Sequence, residues 1–398
     1  MSSDCYDACV VTISSWDAFK MHFFSFFLGT WVMVKKLLSS LWKASDQSLK
    51  KSRNTPPTCY VDTAGFHSYI KLKRVKLHYV ECGAQGKPLL LLLHGFPDCW
   101  FGWRYQMPVL SDHFRVIALD LKGFGDSDKP SWRRSYRIEV LLQELSAVIH
   151  ALGYSTCVLV GHDLGALLGW YFVHQFPELV EKFVSISCPH PNIYWNELPK
   201  TNIFNERWIN FCQMPYLAEI EVLKDDLKIL NKCYQHLEKK KDVSLIDAYK
   251  YVFARPEDWC GPINYYRNLP FTRINDCSGP TEVPCLLITG NKDTFAQLES
   301  VVKSTEYSLK YTVKIVDGAG HYPHQEMPET INAHLLSFLT VPKPTPKIEK
   351  PLPRAGLVNR MIGAVSSTVR YGNHVFGAVQ KTTNGVIHSL PVKTVSGN

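Results

Sequence analysis

A chain of 398 residues with 45% hydrophobic and 12% aromatic residues can bury a large core, and this composition excludes a disordered chain or a multi-pass membrane protein. The formal charge of +8 sits at the ends: residues 1–60 hold seven Lys and Arg against four acids, and residues 341–398 hold eight against one. The near-neutral body speaks against nucleic-acid binding, and the basic ends point to an anionic surface such as a membrane.

Twelve cysteines scatter from Cys5 to Cys285 without a regular framework or a Cys-x-x-Cys pair, and no Asn-x-Ser/Thr sequon occurs. Reduced thiols and a body facing the cytosol are expected. In chain order, residues 21–34 are almost wholly apolar and end at Lys35-Lys36. That run is shorter than the roughly 20 residues a membrane-spanning helix needs, and extending it takes in lysines. Acids precede it and bulky residues fill it, which speaks against a cleaved signal peptide. It reads as a single-pass or interfacial anchor, with a buried accessory helix as the alternative. Asp4, Asp7 and Asp17 stand before the run, and Lys35, Lys36, Lys43, Lys50, Lys51 and Arg53 follow, so the positive-inside rule places the body on the cytosolic side.

Residues 70–80 alternate apolar with polar and read as one half-buried antiparallel strand. Residues 89–93 are five consecutive leucines, as in a strand buried on both faces, and 114–120 and 157–161 repeat that character. Helical patterns cover 138–152 and 166–176, so strand and helix alternate. After 183–187 the alternation stops. Residues 189–280 are rich in Trp, Tyr and Pro with helical patterns and no good buried strand, and sheet character resumes at 284–290 and 311–316. Such an excursion between strands of one sheet reads as an inserted helical lid. The expected architecture is α/β, a mostly parallel central sheet with helices on both faces and a lid at about 189–280. Residues 1–60 form the anchor and basic linker, 61–340 the catalytic domain, and 341–398 a Pro/Lys linker and tail. In that tail, residues 355–390 carry spaced Leu, Val, Ile, Met and Phe amid Gly, Ser and Thr. They resemble the amphipathic helices of lipid-droplet coat proteins, with a disordered tail as the alternative.

The chemistry-bearing signal is Gly161-His-Asp-Leu-Gly165, between an expected strand and an expected helix. Glycines there allow the strained elbow that lifts its central side chain to the top of a sheet. Esterases place serine at the centre, but here it is Asp163. An ionised carboxylate displaces a leaving group from sp³ carbon and forms an alkyl ester, which makes an epoxide or a carbon–halogen bond the natural target. The companions follow in order: His94-Gly-Phe-Pro97 after the leucine strand, Trp100 and Trp103 beyond it, and the Gly-rich turn from Asp120 to Asp128. Asp293 and His321 each lie just past a strand end, where active sites of α/β sheets gather.

Together with Asn264-Tyr-Tyr-Arg-Asn268, these motifs resemble the epoxide hydrolases of the α/β-hydrolase fold over residues 70–340, most of all the membrane-anchored animal members. The resemblance implies that Asp163 is the nucleophile, Asp293 the triad acid and His321 the base. It further implies that the Phe96 and Leu164 amides form the oxyanion hole, that His94, Trp100 and Trp208 belong to the pocket, and that Tyr266 protonates the epoxide oxygen. Leu164 stands where many relatives have Trp.

A second lid tyrosine is expected upstream of Gln213-Met-Pro215, where this chain has Trp208. An indole N–H cannot give up its proton as a phenol can. Either Trp208 assists by hydrogen bonding alone, or Tyr194 or Tyr216 substitutes, or the enzyme is slow. An indole facing an aspartate nucleophile is also how dehalogenases of this fold cradle halide. The implied function is hydrolysis of lipid-type epoxides to vicinal diols. The alternatives are a haloalkane or haloacid dehalogenase-like hydrolase and a catalytically weak lipid-associated binding protein. The implied partners are a small hydrophobic epoxide and a membrane or lipid surface, at the endoplasmic reticulum or a lipid droplet. No metal or cofactor is implied, because the histidines lack ligand spacing and the glycines match an elbow rather than a phosphate loop.

Overall fold

The computed structural model describes residues 9–42, 55–61, 63, 65–199, 206–238 and 243–341. Its ten strands are β1 (Val10–Thr12), β2 (Phe66–Lys71), β3 (Lys76–Cys82), β4 (Leu89–Leu93), β5 (Arg115–Leu119), β6 (Cys157–His162), β7 (Val180–Ile186), β8 (Thr272–Ile274), β9 (Cys285–Gly290) and β10 (Tyr311–Val316). Eight of them form one sheet in the order β10-β9-β7-β6-β4-β5-β3-β2. From β5 to β10 the pairings are parallel, whereas β3 meets β5 and β2 antiparallel. Every residue of β4, β5 and β6 is buried, which is why these strands are continuous apolar runs rather than alternating ones. The helices Ile138–Ala151 and Leu164–Gln175 supply the crossovers that parallel pairing requires.

Residues 70–80 are not the single strand that their alternation suggests. They contribute to a hairpin in which Leu72 N–H donates to Val75 O at 2.8 Å, and β2 pairs with β3 from Phe66 opposite Glu81 to Lys71 opposite Lys76. The apolar phase slips by one position between Leu72 and Val75, and Lys73-Arg74 form the turn that the slip marks.

Between β7 and β9 the chain builds the lid from the helices Pro191–Tyr194, Glu206–Cys212, Leu217–Val222, Lys228–Glu238, Val243–Val252 and Glu257–Asn268. This excursion also contains a strand that its sequence does not announce. β8 pairs antiparallel with β1, so the N-terminal segment is stitched to the end of the lid. Three residues are too few to show a period of two, and the partner lies about 260 residues away in sequence.

The N-terminal helix, Ser15–Trp42, continues that docking. Ser25 Oγ donates to Asn210 Oδ1 at 3.2 Å, His22 stacks on Phe271, and Gly29 lies so close to Met214 that a Cβ there would stand 2.3 Å from its Cε. Trp16, Phe19, Phe23, Phe26, Phe27 and Trp31 of the same helix are 47–65% exposed. No helix among the described residues is long and apolar enough to cross a membrane. The single-pass form of the expected anchor therefore has no support in this helix, whose lysines interrupt the apolar run. The amphipathic tail expected at 355–390 lies outside the described residues.

Candidate active site

β6 ends at His162 and the helix Leu164–Gln175 begins at once, so Asp163 must turn the chain in a single residue. It does so at φ 46°, ψ −116°, a conformation that L residues rarely adopt and that costs about 1–3 kcal/mol. The flanking glycines make the turn sterically possible. A Cβ on Gly165 would lie 2.2 Å from Leu93 O, and one on Gly161 would lie 2.5 Å from the Ala166 backbone. Gly95 serves the same purpose from the facing loop, since a Cβ there would meet Asp163 Cβ at 2.8 Å.

Asp163 is buried, and its Oδ2 accepts the Phe96 N–H at 2.9 Å. Leu164 opens its helix, so its amide is among those that helix geometry leaves without an intrahelical acceptor. The Asp163 Oδ1 lies 3.6 Å from His321 Nε2. On the other side of the imidazole, Nδ1 lies 3.0 and 3.1 Å from the Asp293 carboxylate oxygens, and Asp293 Oδ1 also accepts the Phe295 and Ala296 amides at 2.7 and 2.9 Å. Asp293 follows β9 and His321 follows β10, so parallel pairing brings both loops to the end of the sheet that carries the elbow.

Burial by itself would lower the His321 pKa, but the Asp293 and Asp163 carboxylates that flank it raise it to about 10. Burial likewise works against the Asp163 charge, yet His321 and the Phe96 amide hold its pKa below the usual value. The two flanking carboxylates thus favour the protonated form of the imidazole.

The lid closes over this centre. Tyr266 is 3% exposed, its ring centroid lies 5.0 Å from that of Phe96, and burial and then the Asp163 charge push its phenol pKa well up. Trp208, half-buried on the helix Glu206–Cys212, has its ring 6.2 Å from Phe96. The structure separates the two substitute tyrosines. Tyr216 is 78% exposed, whereas Tyr194 is enclosed enough that burial and then the Asp163 charge raise its phenol pKa. Tyr194 also bears electrostatically on Tyr266, which places both phenols in the field of Asp163.

His94 and Trp100 are placed differently from a pocket lining. His94 Nδ1–H donates to Gly95 O at 2.8 Å while its Nε2 accepts the Leu121 N–H at 3.1 Å, so it braces the Phe96 loop from behind. Trp100 is fully buried, with its indole N–H on Tyr60 OH at 2.7 Å and its backbone N–H on Asp120 Oδ1 at 2.8 Å. Both are taken up by internal hydrogen bonds, His94 by two backbone groups and Trp100 by Tyr60 and the buried Asp120 carboxylate. Two contributors are absent from the sequence reading. Phe295 stacks on His321 with centroids 4.6 Å apart, and His162 Nε2–H donates to His321 O at 2.9 Å. Their positions beside Asp293 and Asp163 in the chain are the signal that could have found them.

Sheet, elbow and triad define a hydrolase of the α/β class whose nucleophile position holds a carboxylate. The α/β-hydrolase fold family model matches residues 88–328. The chain is 34% identical to epoxide hydrolase 4 of Homo sapiens over 77% of its own length and 89% of that protein, and 35% identical to epoxide hydrolase 3 of Xenopus tropicalis over 72% and 82%. Among solved structures, an epoxide hydrolase of Bacillus megaterium in complex with an inhibitor superposes with a TM-score of 0.62 at 31% identity, covering 69% of this chain and all of that one. The chain belongs to the epoxide hydrolases of the α/β-hydrolase fold.

Proposed function

We propose that this protein opens lipid-type epoxides to vicinal diols through a covalent alkyl ester on Asp163. The observation that carries the reading is the placement of Asp163 on its elbow, one carboxylate oxygen on the Phe96 amide and the other facing His321. Oδ1 attacks the less hindered epoxide carbon, the C–O bond breaks, and the departing oxygen takes a proton from Tyr266, with Tyr194 as the second phenol in place of the tyrosine that Trp208 replaces. Esterification removes the Asp163 charge, and with it part of what keeps His321 protonated. The imidazolium returns its proton to the Tyr266 phenolate left by ring opening; now neutral, His321 takes a proton from water, and the hydroxide adds to the Asp163 carbonyl carbon. The Phe96 and Leu164 amides hold the resulting oxyanion on Oδ2, one such donor contributing about 3 kcal/mol. Collapse breaks the ester bond, His321 protonates the leaving alkoxide to give the diol, and the Asp163 carboxyl then passes its proton to His321, restoring carboxylate and imidazolium.

The exposed aromatic face of Ser15–Trp42 supports a lipid-facing role. Trp and Phe side chains suit the headgroup boundary, and Lys35, Lys36 and the basic residues that follow suit anionic lipid. We read it as an interfacial anchor that keeps the catalytic domain on the cytosolic side of a membrane or droplet, where lipid epoxides partition.

The full chain is to be assayed with an epoxy fatty acid, a styrene-type epoxide and a haloalkane. Diol formation that falls about 100-fold in Tyr266→Phe, and further when Tyr194→Phe is added, supports the reading. Halide release without diol formation would establish the dehalogenase chemistry that Trp208 favours.

A further inference from the structure

A half-open cleft lies among the described residues, away from the triad. Between the N-terminal helix and the lid lies a cleft of about 850 Å³, to which none of Asp163, Tyr266, Asp293 and His321 contributes. Its volume is within the roughly 300–1,000 Å³ of small-molecule sites. One wall is apolar, with Met21 and Phe24 from the helix and Trp195 and Ile209 from the lid. Among the described residues its charged lining is Lys20, Arg207 and Arg273 with Asp17 and Glu206.

Lys20 is paired with Asp17 at 2.7 Å. Arg273, on β8, forms no ion pair among the described residues. Its protein acceptors are the Pro270 and Thr272 carbonyl oxygens at 2.9 and 2.8 Å, and both are held by Nη1. The rest of the guanidinium fork, Nε and Nη2, has the geometry that binds a carboxylate. Burial depresses the pKa of this guanidinium, as expected for a partly desolvated cation, and Asp17 offsets that only in part.

The cleft also backs onto the catalytic chamber. The helix Glu206–Cys212 presents Ile209 and Asn210 to the cleft while Trp208, on the same helix, lies over Phe96. Trp195 lines the cleft, and its neighbour Tyr194 feels the Asp163 charge.

We propose that this cleft binds the carboxylate end of a single long-chain fatty acid, the anion on Arg273 and its first methylenes against Met21, Phe24 and Ile209. The Nε–Nη2 edge of Arg273 matches a carboxylate, and the apolar wall beside it matches a single acyl chain. The proposal deepens the lipid-epoxide reading and rests on it for one point only, that the acid collected there is the substrate or its product.

The test uses the full chain and monomeric oleate, which has no epoxide, with displacement of a fluorescent polyene fatty acid as the readout. Saturable binding of one oleate is expected, weakened about tenfold or more in Arg273→Gln and less in Arg273→Lys, because a charge-assisted hydrogen bond is lost in the first and a point charge is kept in the second. Phe24→Glu, at an exposed position, should weaken it to a similar degree while the melting temperature stays that of the parent. Absence of saturable binding, or parental affinity in both Arg273→Gln and Phe24→Glu, overturns the proposal. So does binding of oleyl phosphate with none of oleate. Oleate binding that depends on Arg273 in a chain that turns over no epoxide would sink the proposed function and leave this site standing.

Discussion

His321 Nε2 stands 3.6 Å from Asp163 Oδ1, the separation of an ion pair rather than of a tight hydrogen bond. The gap is too small for an intervening water between the two groups. In the proposed mechanism the hydrolytic water is accommodated only after esterification of Asp163 has removed the attraction between them.

That order of events predicts a trapped intermediate. His321→Gln should form the alkyl ester on Asp163 but hydrolyse it about a thousandfold more slowly, and intact-mass spectrometry should show the protein heavier by one substrate. Asp163→Ala should show neither adduct nor turnover. Full turnover in Asp163→Ala would remove the aspartate from the mechanism.

The charge balance makes a separate prediction by NMR. The imidazole of His321 should titrate near pH 10 in the parent protein, because two carboxylates outweigh burial. In Asp163→Asn one of those carboxylates is neutral, so the His321 pKa must move down, the same direction expected in the ester intermediate. An unchanged titration would show that Asp293 alone sets it.

The elbow glycines should be intolerant for steric reasons alone. Gly165→Ala drives a methyl to 2.2 Å from Leu93 O, and because that oxygen belongs to the central strand it cannot move aside cheaply. A loss of roughly 1–3 kcal/mol or more is expected by chemical denaturation, together with a displaced Asp163. Gly86→Ala, where nothing lies within 4 Å of the added carbon, serves as the comparison and should be nearly neutral.

Acid should destabilise the fold through a histidine remote from the triad. His174 faces His190, Nε2 to Nε2 at 3.3 Å, and burial lowers its pKa to about 4. The unfolded chain takes up a proton near pH 6.5 and the folded one does not, so stability is full above pH 6.5 and declines as the pH falls toward 4, by at most about 3 kcal/mol from this residue. His174→Asn should flatten the fall in melting temperature over that window, and an identical slope in the variant would assign the acid sensitivity elsewhere.

What the sequence determined by itself is the part of this protein that is local or strictly ordered. Five leucines in a row define a strand buried on both faces, and glycines around Asp163 define an elbow because no side chain fits there. Asp293 and His321 are legible because each follows a strand of the sheet, and parallel pairing carries all such loops to one end of it. The family likeness of the 264–268 segment singled out Tyr266 in the same way. The lid is different, since its helices take their places from contacts between residues far apart in the chain. Only the tertiary structure decided that Tyr194 is enclosed near Asp163 while Tyr216 is in solvent, although the two are equal candidates as letters. It also decided that His94 and Trp100 brace the site from behind, their hydrogen-bonding groups taken up by buried partners. The N-terminal segment shows the same division. Its apolar run is visible in the sequence, but the docking of one face on the lid depends on Ser25 meeting Asn210 and β1 meeting β8, encounters that no local pattern encodes.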